Sequence, residues 1–154
     1  MPRSVFVFAI TLLLAAAAQA HQISVGQLVI NHPWARPTAS GMPTGVAYLS
    51  ITNHGARADT LIAAHSPVAA RVEFHRTSLE GGMAKMRPTG SLVIGPGETL
   101  TAAPGGLHLM LVDLEAPLVE GAMVPLVLTF KVAGEVTVQL HVEQREETAP
   151  HAQH

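Results

Sequence analysis

Two histidines and two methionines, His75, Met86, His108 and Met110, stand in the spacing H-x10-M-x21-H-x-M. Imidazole nitrogens and thioether sulfurs are neutral donors, and the sulfurs are soft. Such a set favours Cu(I) over Zn(II) and over oxygen-seeking cations. The chain has no cysteine, so these methionines are the softest donors it owns. Both imidazoles must be neutral to bind a metal, so affinity should weaken as pH falls through about 6. Taken singly, a methionine in a β-domain is core filler, and a lone histidine on a strand is a solvated residue. The four in this spacing carry a reading that none carries alone.

The elements that must position these donors read as short strands. Proline and glycine punctuate the chain, and no stretch sustains a helical apolar period. Ile23 to Ile30 predicts a first strand, followed by a proline-rich loop from His32-Pro33-Trp34 to Pro43. Val46 to Thr52 alternates and ends in the turn Asn53-His54-Gly55, and Asp59 to Ala64 is a further strand. Arg71 to Thr77 puts Val72 and Phe74 on one face and Glu73 and His75 on the other. Gly81-Gly82 is a turn, after which Met86 falls in a loop able to fold over the site. Leu92 to Ile94 and Thr99 to Ala102 are short strands. Leu107 to Asp113 follows Pro104-Gly105-Gly106, and a last hairpin joins Val124 to Val132 with Val136 to Val142 through Ala133-Gly134.

Residues two apart on a strand share a face. His108 and Met110 therefore form a two-donor claw, while Leu107, Leu109 and Leu111 face the core. His75 lies on the polar face of its own strand. Short strands at about ten-residue spacing predict an all-β fold, an antiparallel sandwich or small barrel, with the donors gathered at one end.

Composition narrows the class. Only 13% of residues are charged and the net charge is -2, which leaves no basic stripe for nucleic acid and no polybasic patch for a membrane surface. Residues 1–20 read as a secretory signal peptide: Arg3, an apolar run from Val5 to Leu14, and the cleavage triplet Ala18-Gln19-Ala20. That run is too short to span a bilayer and no second one follows. The mature chain would be exported, with one domain over 21–143 and a flexible polar tail over 144–154. Without disulfides, its core must hold by packing.

With these residues in view, the chain resembles the periplasmic copper chaperones of the PCu(A)C type, whose Cu(I) motif is H-x10-M-x21-H-x-M. The motif is matched in full at His75, Met86, His108 and Met110. The resemblance runs from about Val25 to Val142. It includes Trp34-Ala35-Arg36, Ala47-Tyr48-Leu49, Pro104-Gly105-Gly106, Pro117-Leu118, and Leu126 to Phe130 with Ala133-Gly134. It implies a cupredoxin-like Greek-key sandwich that is not an enzyme. It also implies a Cu(I) carrier that delivers to the copper-A site of cytochrome c oxidase or to related respiratory copper sites; the expected partner is the copper-receiving oxidase subunit or another copper chaperone, and the expected state a monomer. Many relatives carry Met directly after the first histidine, where this chain has Arg76; the family motif treats that Met as optional. Met83 reads as structural rather than as a spare donor.

Other histidines read more quietly. His21, the first residue after the cleavage triplet, reads as a frayed terminus, not a metal brace. His151 and His154 in the tail, with His141 on the outward face of the last strand, offer a weak auxiliary Cu(II) site. His32, His54 and His65 read as surface residues, and Trp34 as packing at the core edge. Alternatives to delivery are general copper storage or resistance and an exported β-sandwich that only binds proteins. An electron-transfer cupredoxin would need a cysteine thiolate, which the chain lacks.

Overall fold

Alternating apolar residues, interrupted every few positions by glycine or proline, leave this chain only strands to form, and among the described residues no helix occurs. The computed structural model describes residues 22–146. The expected leader with its cleavage triplet, His21 and the tail residues His151 and His154 lie outside the described residues. No helix among those described is long and apolar enough to cross a membrane.

The strands are β1 (Gln22–Val25), β2 (Leu28–Ala35), β3 (Thr44–Asn53), β4 (Asp59–His65), β5 (Ala69–Glu80), β6 (Met83–Pro88), β7 (Leu92–Ile94), β8 (Thr99–Ala102), β9 (Leu107–Leu114), β10 (Met123–Phe130) and β11 (Gly134–Val142). They form one curled sheet in the order β6-β5-β9-β3-β2-β11-β10-β4-β7, with β1 added to β2 and β8 to β3. Strands distant in sequence thus become neighbours, as a Greek-key sandwich requires. The interior is apolar: Ile30, Ile51, Leu111, Leu126, Leu128, Val138 and Leu140 are fully buried, drawn from both halves of the sheet.

Three local features differ from the reading of the sequence. The predicted first strand is a hairpin, β1 and β2, because Gly26 adopts φ +55 and allows a two-residue turn between Val25 and Leu28. His32-Pro33-Trp34 is not a loop but part of β2, carrying a bulge: Asn31 pairs with Ser50 and Trp34 with Tyr48, so one extra residue intervenes. His32, at φ +49, absorbs the kink. The sheet is also not wholly antiparallel. Past the bulge, β2 runs parallel to the end of β11, His141 beside Trp34 and Val142 beside Ala35, so the first and last parts of the domain are joined.

The bulge decides which face Trp34 takes. Leu28 and Ile30 point into the core, and unbroken alternation would send Trp34 the same way. The extra residue flips the register. Trp34 instead stacks on Tyr48 on the opposite face, with ring centroids 4.7 Å apart.

Candidate metal centre

β9 carries two unlike faces. Leu107, Leu109 and Leu111 are buried in the core at 2%, 1% and 0% exposure, while His108 and Met110 take the other face. β5 is its antiparallel partner. Phe74 pairs with Leu109 on the core side, and His75 pairs directly with His108 on the outer side. Glu73 pairs with Met110, so Met110 is the diagonal neighbour of His75, within reach of a long side chain. Trp34, Tyr48 and Val46 lie on this same outer face. His108 is only 4% exposed and the His75 side chain 13%, so the pair is sheltered although it lies on the outer face.

Met86 is placed differently from the expectation. It is not in a loop but on β6, the edge strand, opposite Thr77. Gly81 and Gly82, both with positive φ, make the tight turn that folds β6 back along β5. β9 pairs with β5 no further than Arg76, so from Thr77 onward β5 and β6 form a two-stranded ribbon. Met86 shares the face of His75, on its other diagonal, and is 53% exposed. In a flat sheet the Met86 and Met110 positions would be about 15 Å apart. A common ion therefore requires the ribbon to curl toward β9. Met83, opposite Glu80, lies on the reverse face of the ribbon, away from His75.

The hydrogen bonds of the two imidazoles fix their chemistry. His108 donates Nδ1–H to the Gly106 carbonyl at 3.1 Å. His75 donates Nε2–H to Glu73 Oε2 at 2.7 Å. A carbonyl and a carboxylate only accept, so each ring carries its proton there and a lone pair on the other nitrogen. Those other atoms, His75 Nδ1 and His108 Nε2, are buried without a protein hydrogen-bond partner among the described residues. A buried imidazole nitrogen left unpaired is costly, and a bound cation is what such an atom fits. Two imidazoles bound to one ion at about 2 Å per nitrogen have centroids about 5–6 Å apart; these two are 5.9 Å apart, tilted by 36°.

Glu73 is held below the usual carboxylate range, first by the His75 N–H and then by Arg71. Arg71 Nε donates to Glu73 Oε1 at 2.7 Å, and Arg71 Nη1 reaches Asp113 Oδ2 on β9 at 3.1 Å. Sequence reading placed Glu73 beside His75 but gave it no role. The shared face at spacing i, i+2 was the available signal. The Gly106 carbonyl had none, since its aim depends on how the Pro104-Gly105-Gly106 turn closes.

The remaining histidines fall largely as read. His32, His54 and His65 are exposed. His141 pairs with Met123 and lies beside Trp34. Trp34 is buried, and the Arg145 guanidinium covers its ring at 4.4 Å. Among the described residues no three of His, Asp and Glu are grouped to hold a metal ion. The other soft donors on this face are the thioethers of Met86 and Met110.

Comparisons with known proteins agree with this geometry. The sequence pattern of the LpqE-like lipoprotein family matches residues 28–142. The chain is 31% identical over 118 residues to Lxx21020 of Leifsonia xyli subsp. xyli, described as a lipoprotein, spanning 76% of this chain and 70% of that one. Among solved structures it is similar to the copper-bound PCuAC domain of PmoF2, with a TM-score of 0.70 and 31% identity over 81% of this chain and 99% of that domain. It is also similar to the Cu(I) form of DR1885 from Deinococcus radiodurans, with a TM-score of 0.63 and 28% identity over 86% of this chain and 85% of that one. Fold and site together define a cupredoxin-like β-sandwich of the PCuAC copper-chaperone type. Within that class, the chain belongs to the LpqE-like family.

Proposed function

We propose that the protein is an exported, periplasmic Cu(I) carrier. It binds one ion per monomer through His75, Met86, His108 and Met110, and it passes the ion to an acceptor. The observation that carries this reading is the pair of buried, unpaired imidazole nitrogens on facing strands, with thioethers on the same face. Neutral nitrogen and thioether donors stabilise Cu(I) without adding charge. The copper-bound PmoF2 domain and the Cu(I) form of DR1885 support the choice of ion. The lipoprotein names of the family and of its Leifsonia member support export.

Release follows from the same donors. An acceptor presenting thiolates offers stronger soft ligands than thioethers, and exchange begins where the donor is exposed, at Met86. The copper-A site of cytochrome c oxidase is such an acceptor. The role is carriage, with no bond in a substrate made or broken.

Anaerobic competition against a chromophoric Cu(I) chelator tests the binding, with an expected stoichiometry of one. The double variant His75→Ala, Met110→Ala should lose the ion to the chelator. Unchanged affinity would show the site to be elsewhere. Mixing the loaded protein anaerobically with an apo copper-A domain and then oxidising the mixture with ferricyanide tests delivery: growth of the mixed-valence copper-A absorption bands on oxidation supports it, and their absence points to storage. An auxiliary Cu(II) site involving the tail predicts a lower Cu(II) stoichiometry in a chain ending at Glu143, read by isothermal titration. An unchanged stoichiometry removes that site.

A further inference from the structure

We infer that Glu73 is a positioning residue that commits His75 to binding its ion through Nδ1, while His108 binds through Nε2. The inference rests on the soft-ion site proposed above and adds to it the ligating atom and the group that selects it.

An imidazole free to rotate and to exchange tautomers offers either nitrogen to a metal. His75 has lost that freedom. Glu73 Oε2 takes the Nε2–H at 2.7 Å, which leaves the lone pair on Nδ1, the buried atom without a partner. The carboxylate is itself held. Its second oxygen accepts from Arg71 Nε at 2.7 Å, and Arg71 is tied across to Asp113 on β9 at 3.1 Å. The chain Asp113–Arg71–Glu73–His75 thus links the two strands that bring the imidazoles together. Exposed ion pairs add little to stability, and both Arg71 and Glu73 are exposed at 57% and 37%. What this network does is aim a ring. His108 is aimed by a different device, the Gly106 carbonyl on its Nδ1–H, and so presents the other nitrogen. Carboxylate–histidine pairing of this kind fixes the tautomer and raises the basicity of the ligating nitrogen.

The test uses the full chain labelled with 15N at histidine. Long-range 1H–15N spectra should show His75 protonated at Nε2 in the apo protein. On Cu(I) loading, the metal-induced shift should appear at His75 Nδ1 and at His108 Nε2. In chelator competition, Glu73→Ala should weaken Cu(I) binding about 10- to 100-fold. Glu73→Gln should recover most of the loss, because its amide oxygen still accepts the Nε2–H. Melting temperatures near neutral pH should stay close to the parent's, separating aim from folding. A shift at His75 Nε2, or parental affinity in Glu73→Ala, overturns the inference and leaves the site standing. Parental affinity in His75→Ala overturns the site itself.

Discussion

The two sides of β5 hold the proposed metal donors in opposite ways. Toward β9, His75 and His108 face one another on strands whose reverse sides carry Phe74, Leu107 and Leu109 in the core. Their positions are as firm as the packing beneath them. Toward β6, Met86 sits on a two-stranded ribbon in which every residue of β6 is exposed. A two-stranded ribbon has little independent stability, so it can open while the rest of the sheet holds. In the proposed carrier this difference would separate two demands: the histidine half would hold the ion, and the Met86 arm would let it go.

The largest expected effect lies under the firm half. Leu111→Ala removes a fully buried side chain from the core face of β9 and should cost about 2–5 kcal/mol of stability in denaturant unfolding. The molecules that remain folded should bind Cu(I) with parental affinity. His108→Ala should come next, weakening Cu(I) binding at least about 100-fold, more than loss of a ligand's supporting partner costs. Chelator competition reads it. Met86→Ala should cost less, on the order of tenfold or about 1.4 kcal/mol, and should appear mainly as faster release in stopped-flow transfer to the chelator. An equal loss at Met86 and His108 would break the proposed asymmetry. Leu79→Ser, on the ribbon at 79% exposure, should change stability by under about 0.5 kcal/mol and leave affinity as it was.

The smallest effect is in pH. The Glu73 carboxyl ordinarily titrates near 4.5 and is held lower here. A depressed carboxylate contributes stability that is present above its unfolded pKa and lost as pH falls through its folded one. The small difference in melting temperature between the parent and Glu73→Gln should therefore shrink as pH drops below about 4.5. A difference that grows on acidification would show that Glu73 is not held by Arg71 and His75.

How much of the molecule was legible depends on whether local alternation or distant pairing decides the outcome. The claw of His108 and Met110 follows from alternation alone, because Leu107, Leu109 and Leu111 can only face inward. The same rule put His75 and Glu73 on one face. The strand character of β6 was not legible, since Met83-Ala84-Lys85-Met86-Arg87-Pro88 has no apolar alternation. It is a strand because the Gly81-Gly82 turn lays it against β5. The bulge at His32-Pro33 was equally hidden. A positive φ at histidine is held by tertiary pairing, not by local preference. That hidden bulge is what turns Trp34 onto the ligand side, where the sequence had it at the core edge.

The central claim is that one soft ion sits among two imidazoles and two thioethers. X-ray absorption of the Cu(I)-loaded protein tests it most directly, because it counts the neighbours of the metal by element. Two nitrogen and two sulfur neighbours are expected in the parent, with one sulfur lost in Met86→Ala and both nitrogens kept. A shell of nitrogen and oxygen with no sulfur would contradict the claim.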